Sequence, residues 1–339
     1  MKKDASEYYG GFFWLAAISF VVPIVVAYAA FDKLRPTTKP TPAPDASGVD
    51  HQLWDYLLRT YVEDGLIDYE GLSKDYLFTT YLNQIAGCQP NELHSDAERL
   101  ALHCNAYNAL VMQGVINHKI HRNEKNVLSF TPSRIAKQIT TLEEKIKQAE
   151  RTPGGASKQI GELQAKVDRL RADSQFFRLK EHVFANQTIS LDHLEQQMIR
   201  PVFNEPRIHV ALVCAARSCP AIRPEAFTGE RLEFQLQDQS IQFANDPRYV
   251  SVDTETGALR LSPILSWYES DWDSVGGYLR WLQELVQDSE LKNSLSQAAS
   301  GSIPVQFNEY DWTLNSQEGG ISNSSHSSSD FGSGSVPNE

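Results

Sequence analysis

Two cysteines and a histidine that could do chemistry together lie in the segment RIHVALVCAARSCPAIR, residues 207–223. The first half of this segment is rich in β-branched residues, which predicts a central strand over Arg207 to Cys214. Successive side chains of a strand point to opposite faces, so His209 and Cys214 could not meet there. Cys219 escapes this constraint because it lies past the end of the predicted strand.

Cys219 stands directly before Pro220, where the chain can enter a helical turn. A thiol near a helix N-terminus is stabilised as its anion by the free backbone amides. One hypothesis is therefore that Cys219 is a nucleophile and His209 its base, with a carboxylate such as Glu195 or Asp271 orienting the imidazole. Histidine before cysteine is the less common chain order in thiol hydrolases, although the geometry allows it.

A disulfide between Cys214 and Cys219 is the alternative interpretation of the same residues. An oxidising compartment would favour this bond, and the loop is short enough to close. Chain entropy gives such a bond about 2 kcal/mol of stabilisation. The other two cysteines are Cys88 and Cys104, and no spacing among the four matches a zinc site. The sequence predicts neither a metal site nor a cofactor.

Two amides, Asn105 and Asn108, share one face of an apolar helix predicted over Glu98 to His118. Each would cost about 1–3 kcal/mol if buried without a partner. They either fix the backbone of a neighbouring loop or line a polar pocket that also includes Glu195, His209 and Cys219. Further polar and aromatic side chains are candidates for lining the same pocket: Tyr107, Arg217, Trp267, Tyr268 and Asp271.

The charge of the chain argues against one large class of partners. Its 339 residues carry a formal net charge of -12, with a pI near 5.3. Such a surface repels phosphate backbones, and the sequence has no run of lysines and arginines that would reverse this. We therefore predict no binding to nucleic acid.

The hydrophobic pattern predicts a mainly helical α+β fold around a small central sheet. Beside the strand and the buried helix already described, several elements are expected: helices over His51–Tyr61, Ser73–Ile85, Pro224–Phe243 and Ser274–Gln287, a helix that begins after its N-cap Ser190, another capped by Ser262-Pro263, a turn with a short extended piece over Val62–Tyr69, and a β-hairpin from Tyr249–Asp253 and Ala258–Ser262.

Residues 134–174 have a different pattern. Two apolar stripes, each surrounded by charged residues, flank a turn-forming segment that runs from Thr152 to Ser157. This pattern predicts an antiparallel helical hairpin, a short coiled coil inserted into the domain. The hairpin either is a stabilising or incidental insertion or binds a protein partner.

The ends of the chain differ in composition from its middle. After an N-terminal segment at 1–9, residues 10–31 form an uncharged apolar stretch that is long enough to cross a bilayer. This stretch is a retained transmembrane anchor, a signal peptide, or a helix buried in a soluble protein. Ala27-Tyr28-Ala29 fits a signal-peptide cleavage site. Residues 32–49 read as a Pro-rich linker, 50–316 as the folded domain, and 317–339 as a disordered Ser/Gly-rich tail.

Several well-separated segments resemble the bacterial and plant family called domain of unknown function 547. They are Val62–Tyr69, Asn105–Asn108, Ile189–Arg200, Arg207–Pro220, Leu261–Asp271 and Tyr310–Asn315. Two features depart from the family pattern, because Cys104 replaces an aliphatic residue and the helical hairpin is additional. Bacterial members typically carry export signals, so the resemblance implies a domain outside the cytoplasm, either held at a membrane or secreted into the periplasm.

The resemblance implies no activity, so the residues alone carry the functional argument. Two functions follow from them. The first is a binding or scaffold module that uses the polar pocket or the helical hairpin. The second is a thiol-dependent hydrolase or acyl transferase that uses Cys219 and His209 on peptide or envelope material.

Overall fold

The fold comes from a computed structural model. It describes residues 38–317 except 42, 124–126, 129, 131–132, 151–156 and 174. The N-terminal segment 1–9, the apolar stretch 10–31, the start of the linker and residues 318–339 of the tail lie outside the described residues. Within the described ranges, no helix combines the length and the apolar character needed to cross a membrane.

Helices make up most of the architecture, which confirms the predicted mainly helical α+β class. The α-helices in chain order are α1 (His51–Tyr61), α2 (Tyr69–Leu72), α3 (Tyr76–Gly87), α4 (Asp96–Asn117), α5 (Ile120–Asn123), α6 (Ser133–Glu150), α7 (Ser157–Asp173), α8 (Leu191–His193), α9 (Arg200–Phe203), α10 (Ile208–Ala211), α11 (Leu232–Ala244), α12 (Ile264–Trp267), α13 (Tyr278–Leu285) and α14 (Ser289–Ala299). A π-helical segment, Leu194–Ile199, joins α8 to α9, and a 3₁₀ segment, Glu269–Val275, follows α12.

The strands are short and form three small sheets in the described part of the chain. They are β1 (Val62–Glu63), β2 (Leu66–Ile67), β3 (His182–Phe184), β4 (Gln187–Ile189), β5 (Val250–Val252), β6 (Leu259–Leu261) and β7 (Val305–Phe307). Strands β1 and β2 pair antiparallel, as do β3 and β4. In the third sheet β6 pairs antiparallel with β5 and parallel with β7.

Local sequence explains where the main helices begin. Asp50, Asp75 and Asp288 each accept a backbone N–H of the helix that follows them. The central helix α4 begins with a capping box, in which Ser95 accepts the N–H of Glu98 and the Glu98 side chain accepts the N–H of Ser95. Helix α4 is buried on nearly every side, and the other N-terminal elements pack around it.

Three hydrophobic clusters hold the described residues together. The largest surrounds α4 and includes α1, α3 and the segment after α10. A second lies between α11, α13, α14 and the three-stranded sheet, where Trp272 is fully buried. The helical hairpin α6–α7 has its own small cluster, formed by Ile139, Leu142, Ile146 and Val167. The predicted hairpin therefore forms and packs mainly on itself.

The segment that ends the described chain ties distant parts together. Leu314 forms a bridge with Ala216, and Ser316 forms one with Ile67 of β2. The amide of Asn315 donates to the carbonyl of Ala215. Residues 310–317, which we call the C-terminal segment, therefore hold the loop after α10 against the first hairpin.

The predicted central strand over Arg207 to Cys214 is wrong. Residues Ile208–Ala211 form a single helical turn, and the chain becomes extended only at Leu212. The turn begins after Pro206, whose carbonyl accepts the N–H of His209. Periodicity alone cannot distinguish a short β-branched run from a buried helical segment, and these residues adopt the helical conformation.

Two predicted helix bounds are also corrected. The helix expected from Pro224 begins only at Leu232, because Asn105 bonds both the N–H and the carbonyl of Phe227 and holds that stretch extended. The helix expected over Ser274–Gln287 begins at Tyr278, after Gly276 and Gly277 at positive φ, and α14 follows it.

Candidate binding site

A π-helical segment positions the first site residue, Glu195. Ser190 caps α8 by accepting the N–H of His193, as predicted, and the helix then widens so that Arg200 donates its N–H to the carbonyl of Glu195. Pro201 follows and has no N–H for the carbonyl four residues earlier, which explains why the regular α-helical pattern is interrupted before α9. Single π-turns inside helices frequently occur at functional sites.

The Glu195 carboxylate is half-buried and accepts hydrogen bonds from two phenols. Tyr268 donates its hydroxyl at 2.8 Å and Tyr107 at 3.3 Å, while the amide of Gln196 donates at 3.2 Å. Burial raises the pKa of Glu195 above its usual value, although both phenols and the positive charge of Arg200 act against this shift. The carboxyl group is therefore easier to protonate than an exposed glutamate.

An ion pair forms the other half of the site. The guanidinium of Arg200 donates two hydrogen bonds to Asp271, both at 2.8 Å, and the Nε2 of His209 lies 2.7 Å from the same carboxylate. The hydrogen bonds from Arg200 lower the pKa of Asp271 to about 2. Asp271 is therefore ionised at neutral pH.

His209 is buried and neutral in this arrangement. Burial lowers the pKa of its imidazole to about 4, despite the neighbouring carboxylate. Since Asp271 is ionised and can only accept, Nε2 must carry the proton of the neutral ring. The imidazole also stacks on the ring of Tyr268, with centroids 3.8 Å apart, and the Arg200 guanidinium lies 4.8 Å from the centroid of that ring.

We call these six side chains the Glu195 network. They are Tyr107, Glu195, Arg200, His209, Tyr268 and Asp271. Tyr268 is the shared member, because its hydroxyl contacts the glutamate and its ring contacts the histidine and the arginine. The network therefore couples a carboxyl group with a raised pKa to an imidazole with a lowered pKa.

An open pocket of about 340 Å³ lies against the network. Its lining is formed by Gln196, Arg200, Pro201, Asn204, Glu205, Pro206, Ile208, Ser270, Asp271 and Ser274. Asn204 ends α9 in the left-handed conformation. The charged groups in this lining are paired, since Arg200 binds Asp271 and Glu205 binds Arg207 at 2.7 Å. The pocket thus offers many hydrogen-bonding groups without an uncompensated charge.

The two cysteines of the predicted pair form a disulfide in the structure, with Cα atoms 6.2 Å apart. The hydroxyl of Tyr310 lies 3.0 Å from the Sγ of Cys214 and 3.1 Å from the Sγ of Cys219. Tyr310 packs against Trp267 and Trp312, and Trp267 is 50% exposed. In this state Cys219 presents no thiol.

The two predicted amides clamp backbone rather than line the pocket. Asn108 donates to the carbonyl of Ala211 at 3.0 Å and accepts the N–H of Val213 at 2.9 Å. Asn105 makes the same pair of bonds with Phe227. Both side chains are buried. Of the two predicted alternatives, the structure shows the one in which these amides fix the backbone of neighbouring loops.

The structure brings together only part of the predicted site. Of the candidate orienting carboxylates, Asp271 bonds to His209, whereas Glu195 bonds to the two phenols. Arg217 is exposed, and its backbone N–H pairs with Thr313 of the C-terminal segment. The hydrogen bonds found for His209 and Cys219 lead to different partners, so the nucleophile and base pair is not assembled here.

Sequence reasoning missed Arg200 and most of the pocket lining. Arg200 lies next to Pro201, and that proline was the available signal for an irregular helix. Its partner Asp271 is 71 residues away, a distance over which spacing gives no information. In the described ranges, no group of three or more His, Cys, Asp or Glu side chains could hold a metal ion.

Residues 90–244 match a family model described as Protein of unknown function, DUF547. This part of the chain belongs to that family. No curated protein and no solved structure matches the chain. The DUF547 segment supplies four members of the network, whereas Tyr268 and Asp271 come from beyond the matched residues. The four are Tyr107, Glu195, Arg200 and His209. The candidate site therefore also requires residues that follow the DUF547 match in the sequence.

Proposed function

We propose that the domain is a binding module for a neutral, hydroxyl-rich ligand such as an oligosaccharide, which enters the pocket beside the Glu195 network. The observation that carries this proposal is the pocket wall formed by the Arg200–Asp271 ion pair. This wall lies where a π-helical segment interrupts the helix, and His209 and Tyr268 support it from behind.

The size and rigidity of the pocket support binding. Its volume of about 340 Å³ lies within the range of small-molecule sites and would hold one or two sugar units. Arg200 is fixed by two hydrogen bonds to Asp271 and by the ring of Tyr268. A ligand would therefore meet side chains that are already ordered, which lowers the entropic cost of binding.

The charge balance of the pocket selects the ligand class. An anionic ligand would have to compete with Asp271 for Arg200, and a cationic ligand would have to compete with Arg207 for Glu205. A neutral ligand avoids both costs and can still bond to other polar side chains of the lining, which are Gln196, Asn204, Ser270 and Ser274. This favours hydroxyl and amide groups over phosphates and ammonium groups.

Calorimetric titration with a panel of neutral oligosaccharides, each paired with its phosphorylated form, tests the proposal. We expect a neutral member to bind and its phosphorylated form to bind more weakly. Ser270→Trp fills the pocket and should abolish this binding. Ser266→Trp is the matched control, because Ser266 is exposed on α12 but does not line the pocket. Binding that survives Ser270→Trp, or a panel without any binder, would contradict the proposal.

We also propose that the domain acts outside the cytoplasm, held at a membrane through residues 10–31 or released after cleavage there. A disulfide between Cys214 and Cys219 supports this location, because such bonds persist mainly in oxidising compartments. A reporter enzyme that is active only after export, fused to the C-terminus, should be active in cells. An inactive fusion protein of normal abundance would contradict this location.

A further inference from the structure

The disulfide lies among hydrogen-bond donors that point at its sulfur atoms. The Tyr310 hydroxyl is within 3.1 Å of both sulfurs, and the backbone N–H of Cys214 lies 2.9 Å from the Sγ of Cys219. Neutral disulfide sulfur is a weak acceptor and needs no such donors. A sulfur atom that becomes a thiolate would be stabilised strongly by both of them.

The two cysteines differ in access. Cys214 is half-buried, whereas Cys219 is 5% exposed. Cys214 is therefore the cysteine that an external thiolate would meet first, and Cys219 is then the leaving group. The backbone donor favours this direction, since the Cys214 N–H contacts the Sγ of Cys219, which is the sulfur that would leave. The Tyr310 hydroxyl lies within 3.1 Å of both sulfurs and can donate to the thiolate once it forms.

The loop that carries the pair is held by bonds that do not involve sulfur. Asn108 fixes the backbone just before Cys214, and the C-terminal segment pairs with Ala215, Arg217 and Ser218 inside the loop. Ala215 is buried with φ of 63°, a left-handed conformation that a non-glycine residue keeps only where its surroundings enforce it. Both cysteines should therefore stay in place when the disulfide opens.

A purely structural role explains this arrangement less well. The loop closed by the bond is short, with a sequence separation of 5, and short loops gain the least stability from a cross-link. The side of the pair nearest Tyr310 also carries the half-exposed Trp267, which offers an aromatic surface to an approaching peptide. Both features suit a disulfide that reacts with a partner.

We propose that Cys214 and Cys219 form a redox-active pair that exchanges its disulfide with dithiols of peptides or proteins. A substrate thiolate attacks the Sγ of Cys214, the bond between the two cysteines breaks, and its electron pair leaves on the Sγ of Cys219. The second substrate thiolate then attacks the substrate sulfur of the mixed disulfide and releases Cys214. The substrate dithiol becomes a disulfide, and its two protons and two electrons reside on the cysteine pair.

Tyr310 acts in this exchange as a hydrogen-bond donor that keeps its proton. Burial raises the pKa of its phenol well above the usual value, so transfer of the proton to a thiolate is unfavourable. Its contribution is to stabilise the departing Cys219 thiolate, which makes departure faster. The reverse exchange, with a disulfide substrate, restores the oxidised pair.

The first test measures how fast dithiothreitol reduces the oxidised full-length protein, with released thiols trapped over time and counted by mass spectrometry. Loss of one hydrogen bond to a thiolate should slow reduction about tenfold in Tyr310→Phe. Tyr278→Phe is the matched control and should keep the wild-type rate, because its ring packs on Phe307 away from the cysteines. Equal rates in wild type and Tyr310→Phe, or a disulfide that stays oxidised in the folded protein, would overturn the proposal.

The second test uses the asymmetry of the pair. Oxidised glutathione should form a stable mixed disulfide with Cys219→Ser, which retains the reachable Cys214, and should react far more slowly with Cys214→Ser. The remaining cysteines, Cys88 and Cys104, are buried in both variants. The opposite order of reactivity, or no adduct in folded Cys219→Ser, would sink the assignment of Cys214 as the attacked sulfur.

Discussion

The ring of Tyr268 lies flat on the imidazole of His209, with 15° between the two planes. Its hydroxyl, at the far edge of the same ring, donates to Glu195. One side chain thus connects a neutral histidine to a carboxyl group that resists ionisation. Any change at Tyr268 is therefore expected to alter both groups.

We expect Tyr268→Phe to raise the pKa of Glu195 further, and by more than Tyr107→Phe does. Both phenols stabilise the ionised carboxylate, but Tyr268 is closer and makes the larger contribution. Side-chain carbon NMR of Glu195 across a pH titration measures both shifts. Tyr76→Phe, at an exposed tyrosine, should leave the titration unchanged. A larger shift in Tyr107→Phe would contradict this order.

His209 should make the stability of the domain depend on pH between about 6.5 and 4. Its pKa is about 4 in the folded protein and near 6.5 in the unfolded chain, so the unfolded state takes up the proton first as pH falls. The stabilisation is complete above pH 6.5 and is lost as pH falls towards 4. The shift corresponds to about 3 kcal/mol.

The effect is isolated by comparing the free energy of unfolding of wild type with that of His209→Gln, measured by denaturant unfolding at pH 7 and at pH 4. Glutamine retains a donor for Asp271 and does not titrate. Between these pH values wild type should lose up to about 3 kcal/mol more than the variant. Other buried histidines, such as His103 and His182, are common to both proteins and cancel. Equal losses would show that His209 is not held neutral.

Asn108→Ala should destabilise the domain by about 3 kcal/mol, since it leaves the carbonyl of Ala211 and the N–H of Val213 buried without partners. Urea unfolding measures the loss. Asn117→Ala provides the control at the exposed end of the same helix and should change stability by less than about 0.5 kcal/mol. A similarly small effect at Asn108 would mean that water or a shifted backbone replaces the clamp.

The helical hairpin should be removable without unfolding the domain. Its buried side chains pack on each other, and Arg171 binds Glu143 across the two helices. Replacing Ile139 to Leu170 by a short Gly-Ser linker should change the free energy of unfolding of the remaining domain by less than about 1 kcal/mol. Calorimetry gives this comparison. A large loss of stability would show that the hairpin supports the fold.

A protein partner of the hairpin, which we propose as one role for the insertion, would be detected separately. The shortened protein should fail to capture a partner that the full chain captures from an extract of its own cells. If both proteins capture the same partner, the hairpin is not the binding surface.

Sequence predicted the elements whose signals are local. The spacing of apolar residues predicts helix α1 with its observed bounds, and the structure adds Asp50 as its N-cap. The turn at Ile208–Ala211 was missed, because its β-branched residues fit a strand equally well until the clamp by Asn108 is known. Contacts with residues far away in the chain determine the conformation of this segment, and a single sequence gives little information about such contacts.

The sequence predicts which residues form the candidate site better than it predicts the hydrogen bonds between them. Glu195, His209, Tyr268 and Asp271 were all named from sequence, yet their pairing was not. Asp271 was one of two carboxylates that could have served His209, and only tertiary structure places it there. Arg200, which completes the ion pair, lies on a helix whose irregularity follows from a single proline.

The C-terminal segment also determines when the cysteine loop can take its final structure during protein synthesis. Tyr310 leaves the ribosome 91 residues after Cys219. Until it emerges, the cysteine loop lacks both its phenol and the strand-like pairing that shapes its backbone. A nascent chain can thus contain every residue of the DUF547 match and still have no finished cysteine loop. Premature termination anywhere before residue 310 would leave the earlier helices translated and the cysteine pair without the hydroxyl of Tyr310.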